Sequence, residues 1–237
     1  MPTDLTEIKG YNLKLFQNKK GYRFSIDSFL LAWFVAGEEF SKGLEIGAGS
    51  GIVSLLIERM TEDKKHFELI EVQKSLFNLL KKNIDLNKPY KSKFVLRNED
   101  ARFVLPSVIP DIVYSNPPFT DFSKGKVSPN FEKAIARHTY LLNLESLLKW
   151  YIENTGQNTK LAFVETIKNL EYYREKVEEF SLFVEKIVYV KPFENKNPNL
   201  FLILINKKKK DFEEQYLTIY KSKNIYTDKV KQILGIV

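Results

Sequence analysis

Between residues 43 and 165 short apolar runs of strand length alternate with longer stretches of helical period, and no other feature of the sequence restricts the fold as much. Strands are expected at 43–46, 67–71, 93–96, 111–115 and 160–165, and helices at 52–60, 75–86, 141–151 and 169–180. In the second of these helices Leu76, Leu79, Leu80 and Asn83 share one face. Strand and helix in turn imply crossover connections and a mainly parallel sheet covered on both sides. Residues 182–190 and 200–205 follow with only a loop of Pro, Asn and Lys between them, so this pair must run antiparallel. The expected architecture is α/β: a mostly parallel seven-stranded sheet with a C-terminal antiparallel hairpin and helices on both faces. A strand-like 216–220 and a closing helix at 227–234 complete it. Ahead of the alternation, Tyr11, Leu13, Leu15, Tyr22, Phe24 and Ile26 alternate with polar residues around Asn18-Lys19-Lys20-Gly21, which predicts a β-hairpin over 11–26. Asp27 is placed to cap a helix running to about Phe40. Residues 1–40 are thus expected as a hairpin and helix packed on the core, and 41–237 as one structural unit.

At 43% hydrophobic over 237 residues the chain has the apolar content for a real core and is not a disordered or fibrous sequence. With no cysteine and two histidines, thiol nucleophiles, disulfide frameworks, cysteine-ligated zinc and iron–sulfur clusters are excluded. No metal is expected. Chemistry must therefore come from carboxylates, amides, backbone, hydroxyls or a bound cofactor. Against 30 Asp and Glu stand 37 Lys and Arg, and the resulting charge of +7 suits a polyanionic partner, of which nucleic acid is the simplest. The apolar runs at 29–37 and 200–205 are far shorter than the roughly 20 residues of a membrane-spanning helix. The opening Met-Pro-Thr-Asp-Leu-Thr-Glu is polar and acidic where a secretory leader is basic and then apolar, so a soluble, cytoplasmic protein is expected.

Glu45-Ile46-Gly47-Ala48-Gly49-Ser50-Gly51 falls where the first strand of the alternation turns into its helix. Glycines there permit positive φ and bring backbone close to a ligand. Glu71, twenty residues past Gly51 at the end of the next strand, can accept both hydroxyls of a ribose. The glycine spacing is tighter than that of dinucleotide binders, whose helix N-terminus must face a pyrophosphate. An adenosine cofactor without phosphates fits better, and S-adenosylmethionine is one. Glu45 is expected to carry negative charge toward its amino group and sulfonium, and Asp100 to accept a hydrogen bond from the adenine amine.

The strand at 111–115 runs directly into Asn116-Pro117-Pro118-Phe119. Two prolines fix φ and cannot extend a sheet, so the loop is stiff and its carbonyls stay out of any ladder. The amide oxygen of Asn116 and the carbonyl of Pro117 can each take one hydrogen of a planar amino group, while Phe119 stacks on the ring that carries it. Such an amine is a poor nucleophile because its lone pair is delocalised. Holding both N–H bonds turns that pair toward the methyl donor, so positioning and electrostatics do the catalytic work.

Through the glycine turn, Glu71, Asp100 and Asn116-Pro117-Pro118-Phe119 the chain resembles the Rossmann-like class I S-adenosylmethionine-dependent methyltransferases that modify exocyclic amines. The likeness is nearest to the family of bacterial tRNA1(Val) adenine-37 N6-methyltransferases. It extends to Gly21-Tyr22-Arg23-Phe24-Ser25-Ile26-Asp27-Ser28-Phe29-Leu30-Leu31, to Ala136-Arg137-His138-Thr139 with Leu147-Leu148, and to Leu217-Thr218-Ile219-Tyr220 with Tyr226-Thr227. The resemblance implies N6-methylation of an adenosine in tRNA, with S-adenosylhomocysteine as the second product and Asp27, Glu45, Gly47, Ala48, Gly49, Gly51, Glu71, Asp100 and Asn116 at the cofactor. The chain has Phe119 where the family often has Tyr, and Asn199-Leu200-Phe201 where it tends to place an Arg.

Residues 120–133 lack hydrophobic period and carry Lys124 and Lys126, with Arg137 just beyond. Long loops beside a site are commonly substrate arms, and this one is read as an RNA contact. Lys19, Lys20 and Arg23, interleaved with Tyr22 and Phe24, have the mixture of cation and ring of a nucleic-acid surface. The run Lys207-Lys208-Lys209-Lys210 reads as a solvated strand end and His66 as structural. Alternatives are N5-methylation of a protein glutamine, whose amide the same loop could hold, and methylation of a base in rRNA or DNA.

Overall fold

A computed structural model of the chain describes residues 3–19, 25–117 and 144–236. The chain opens with β1, Thr3–Ile8, and β2, Leu13–Asn18, paired antiparallel. A short 3-10 turn joins them and ends at Asn12 with φ 49. In place of the hairpin expected over 11–26, β2 pairs back with β1, Lys19 is a bend just past it and Ile26 already opens a helix; Lys20, Tyr22, Arg23 and Phe24 lie outside the described residues. The sequence of β1 conceals its strand character because only Ile8 is buried, and pairing with β2 defines the rest.

Helix α1, Ile26–Ala36, stops before the expected end near Phe40, at Gly37, a residue of low helix propensity. Asp27 lies inside its first turn, not at the cap, where Ser25 stands. The alternation then follows as β3 (Lys42–Ile46), α2 (Ile52–Met60), β4 (His66–Ile70), α3 (Lys74–Leu86), β5 (Lys93–Arg97) and β6 (Ile112–Ser115). After 118–143 come α4 (Leu144–Asn154), β7 (Lys160–Thr166), α5 (Leu170–Glu179), β8 (Phe183–Phe193), β9 (Leu200–Asn206), β10 (Glu213–Ser222), β11 (Ile225–Tyr226) and α6 (Asp228–Leu234).

Among the described residues nine strands make one sheet, in the order β11-β10-β8-β9-β7-β6-β3-β4-β5. Neighbours from β7 to β5 run parallel, and β9 lies antiparallel to both β7 and β8. The seven strands expected are extended by β10, parallel beside β8, and by β11. Alternation in β10 turns Leu217 and Ile219 inward, where they are buried with Val188, Val190 and the α6 residues Val230 and Ile233. One face of the sheet carries α1, α2, α3 and α6 and a core built on Leu30, Leu31, Leu55, Leu56 and Phe67. The other carries α4 and α5 around Leu148, Tyr151, Phe163 and Phe201. No described helix is long and apolar enough to cross a membrane.

Two asparagines one helical turn apart fasten the N-terminal hairpin to α3. The Asn83 amide accepts from the Phe16 N–H at 2.7 Å and donates to the Phe16 carbonyl at 3.1 Å. Asn87 does the same for Lys14, at 2.9 and 2.8 Å. Each amide thus replaces a missing strand neighbour for β2. The chain ends also meet: a Cβ on Gly10 would stand 1.8 Å from the Gly235 carbonyl oxygen, so only glycine allows this backbone crossing. Beside it the Tyr11 hydroxyl donates to the last carbonyls of α6, Gln232 at 3.1 Å and Ile233 at 2.9 Å. Lys207, read as a solvated strand end, instead donates to the Ile152 and Thr155 carbonyls at the C-terminal end of α4, at 2.9 and 2.7 Å.

Candidate active site

Parallel strands end at one edge of a sheet, so whatever follows β3, β4, β6 and β7 is gathered there. The turn after β3 is hooked onto the end of β4: the N–H groups of Gly47 and Ala48 both donate to the Ile70 carbonyl, at 2.9 and 3.0 Å. Gly51 then starts α2 in the left-handed region, φ 83, and a Cβ there would approach Leu80 Cδ1 to 2.6 Å.

Glu71, just past β4, is nearly inaccessible and is built into this turn. Its carboxylate accepts the Gly49 N–H at 2.8 Å and the Gln73 N–H at 2.7 Å, while its own N–H donates to the Arg97 carbonyl at 3.0 Å. The glycines and the acid expected to serve one ligand therefore form a single hydrogen-bonded unit. A carboxylate with fixed oxygens beside a turn of positive φ is the acceptor chemistry that a ribose diol requires, so these residues suit an adenosine cofactor.

Asn116 reaches the same place from β6. Tyr114 pairs in register with Glu45, and the Ser115 hydroxyl donates to the Ile46 carbonyl at 2.8 Å, so Asn116 emerges beside Gly47. The half-buried Asn116 amide donates from Nδ2 to the Ser28 hydroxyl of α1 at 3.2 Å. Pro117 follows, also half-buried; Pro118, Phe119, Lys124, Lys126 and Arg137 lie outside the described residues.

One expectation needs correction. Glu45 presents no negative charge to the crevice: it is 2% exposed, and its carboxylate is taken by the hydroxyl and N–H of Ser54 on α2. Burial pushes its pKa up to about 8, although the Ser54 bonds work against this. The Ser54 hydroxyl also meets Tyr114 Oη at 2.6 Å, so Glu45 clamps β3, α2 and β6 together behind the glycine turn. Asp100, in turn, is engaged by its own neighbour. Arg102 binds it through the guanidinium and the backbone N–H, and that pairing holds the carboxyl below its ordinary range.

The Glu45 arrangement carries a pH signature. A folded-state pKa near 8 against an ordinary 4.5 means that the folded protein keeps a proton that the unfolded chain has lost. Stability from this group is full below the lower value and is lost as pH climbs from it to the higher one, by up to about 1.4 kcal/mol per pH unit, then levels off. Thermal unfolding of the cofactor-free protein should therefore move to lower temperature between pH 5 and pH 8. Glu45→Gln, neutral throughout, should show a shallower decline; equal slopes would refute the buried proton.

The structure adds two residues that sequence reasoning passed over. Glu165, 1% exposed, ends β7 next to the strand that delivers Asn116. It accepts from the Thr166 N–H at 2.7 Å and the Tyr173 hydroxyl at 3.4 Å, and burial raises its pKa to about 7. Asp27, whose carboxylate accepts from the Ser25 hydroxyl at 2.6 Å, is near enough for its charge to raise Glu165 further, and burial lifts Asp27 as well. A carboxylate closing an otherwise apolar parallel strand is the signal that could have revealed Glu165. Ser28 offered none, since it sits inside an apolar helical stripe. Among the described residues no group of three or more His, Asp or Glu could hold a metal ion.

A family model described as "Conserved hypothetical protein 95" matches residues 7–184. The tRNA1(Val) (adenine(37)-N6)-methyltransferase of Tolumonas auensis is 26% identical over 212 residues, 89% of this chain and 87% of the relative. Its namesake from Aliivibrio fischeri is 28% identical over 214 residues, 89% and 88% of the two chains. Among solved structures, a protein of Agrobacterium tumefaciens described as a predicted O-methyltransferase superposes with a TM-score of 0.66 at 14% identity, covering 89% of this chain and 96% of its own. The shared fold is that of class I methyltransferases.

Proposed function

The chain belongs to the family described as Conserved hypothetical protein 95, and from that premise we propose that it transfers a methyl group from S-adenosylmethionine to the N6 amine of an adenosine in tRNA, at position 37 of the tRNA1(Val) type. The observation that carries this reading is the Ser115-to-Ile46 hydrogen bond, which sets an Asn-Pro acceptor pair against the glycine turn. The names of the relatives support the substrate, and the charge of +7 suits an RNA.

When bound, S-adenosylmethionine supplies an electrophilic methyl on a sulfonium and leaves as S-adenosylhomocysteine. Glu71, held by Gly49 and Gln73, would accept the ribose hydroxyls, while Gly47, Gly49 and Gly51 keep side chains out of the turn and Ala48 adds only a methyl. Asp27 shapes the pocket from α1, and Asp100 receives the adenine amine as Arg102 shares it. Asn116 Oδ1 and the Pro117 carbonyl accept the two N–H bonds of the target amine, with Pro118 stiffening the loop and Phe119 stacking on the base. The methylated amine is acidic enough to lose its proton without a tuned base. Lys19, exposed at the end of β2, contacts the RNA together with Lys20, Arg23, Lys124, Lys126 and Arg137. A tRNA substrate fits a cytoplasmic protein.

Methyl-labelled S-adenosylmethionine, offered with total RNA, DNA and protein together, tests the reading. Label is expected in the tRNA fraction. Label confined to protein would favour glutamine methylation, and label in rRNA or DNA a different base.

A further inference from the structure

The register across the sheet fixes where its outer strands end relative to the crevice. Ser115 pairs with Phe163, Phe163 with Ile203 and Ile203 with Ile187, so Asn116 stands level with Val188 of β8. β8 runs in the same direction as β6 and continues past that level to Phe193, with β10 alongside it. At about 3.3 Å per residue the two strands form a ledge that extends about 16 Å beyond the catalytic level. It lies three to four strand spacings from Asn116, or about 14–19 Å.

One face of this ledge is lined with rings. Alternation places Tyr189, Lys191 and Phe193 of β8 and Tyr216 and Tyr220 of β10 opposite the buried Leu217 and Ile219. Tyr189 and Tyr216 are stacked, with centroids 5.2 Å apart and planes 21° apart. Further out, Phe193 lies 5.6 Å from Tyr220, and Tyr220 stacks on Tyr226 at 5.0 Å. Tyr220 and Tyr226 also pack against the core under α6, which anchors the outer row. Cross-strand ring pairs stabilise an edge, but stability alone favours covering the rings, and Tyr216 is 60% exposed. Its hydroxyl donates to Glu214 at 2.9 Å, which restrains the ring. Cations flank the pair: Lys191 Nζ stands 4.9 Å from the Tyr216 centroid, and the Arg174 guanidinium donates to the Tyr189 hydroxyl at 2.9 Å.

Resting on the tRNA reading above, we infer that this ledge is a stacking platform for unpaired bases of the RNA loop that carries the target adenosine. An exposed ring offers its face to any base, and a cation beside it attracts the phosphates on either side. Turning an adenosine into the crevice breaks its stacking within the loop. Rings on a ledge beside the crevice give the flanking bases new partners, as open sheet faces do for single-stranded RNA.

Tyr216→Ala is expected to weaken binding of the cofactor-loaded protein to an unmodified tRNA1(Val) transcript about tenfold, measured by filter binding at fixed salt. The KM for tRNA should rise in proportion, and the Kd for S-adenosylhomocysteine should stay within about twofold of the parent. Tyr216→Phe keeps the ring and should bind as the parent does. Tyr216→Leu keeps apolar bulk against Tyr189 without an aromatic face; it should lose as much as the alanine variant and replaces it should that fail to fold. Lys191→Ala should weaken binding less and make it less sensitive to salt. Parental tRNA affinity in Tyr216→Ala or Tyr216→Leu, or an equal loss in Tyr216→Phe, would overturn the platform while leaving methylation of tRNA by the parent intact. A parent protein that labels only protein would refute the tRNA reading itself, and the platform with it.

Discussion

Asn116→Ala should retain cofactor affinity within about twofold and lose methyl transfer by roughly a thousandfold. The side chain is half-buried, and its amide bonds only to Ser28 among the described residues, so its removal leaves the glycine turn and Glu71 intact. What disappears is one of two fixed acceptors for the amine. The base can then rotate, its lone pair stays conjugated with the ring, and the near-attack geometry is rarely reached. Calorimetric titration with S-adenosylhomocysteine and single-turnover transfer to tRNA separate the two quantities. Transfer at the parental rate would remove Asn116 from the mechanism, and a comparable fall in cofactor affinity would recast it as a binding residue.

Glu71→Ala should produce the opposite pattern, with a loss in cofactor affinity of about a hundredfold or more. Two backbone donors, Gly49 and Gln73, lose their acceptor in a buried place, and the turn that they fix loses its shape at the same moment as the ribose loses its partner. Each unsatisfied buried N–H costs about 1–3 kcal/mol, so the melting temperature should fall as well. Glu71→Gln keeps one acceptor oxygen and should lie between. At saturating cofactor the remaining transfer should recover in both variants, since Glu71 touches no reacting atom. Parental affinity in Glu71→Ala would show that the adenosine end of the ligand lies elsewhere.

The parts of this molecule that are legible in sequence are those where one local pattern decides. The helix over 52–60 has its residues as expected because Gly51 starts it and the apolar run of Ile52 to Ile57 is buried without competition. The antiparallel pairing of β8 with β9 follows from a loop too short to hold a crossover. The glycine turn, Glu71 and Asn116 converge because parallel strands all end at one edge. Where partners are distant in sequence, the reading fails. β1 becomes a strand only by pairing with β2, whereas the strand expected at 216–220 is present but lengthened to 213–222 by adding to β8. Asn83 lies on the predicted apolar face of α3, but its pairing with Phe16 spans 67 positions. Charge misleads for the same reason: Glu45 looks available until Ser54 is seen to occupy it.

The atom that receives the methyl group decides whether Asn116 and Pro117 act as proposed. Digestion of tRNA after reaction with methyl-labelled S-adenosylmethionine, followed by chromatography and mass spectrometry of the nucleosides, identifies that atom. All label should elute as N6-methyladenosine, from a single adenosine in the anticodon loop. Label on a ring nitrogen or carbon, on the ribose, or in nucleosides other than adenosine would contradict an acceptor pair built for an exocyclic amine.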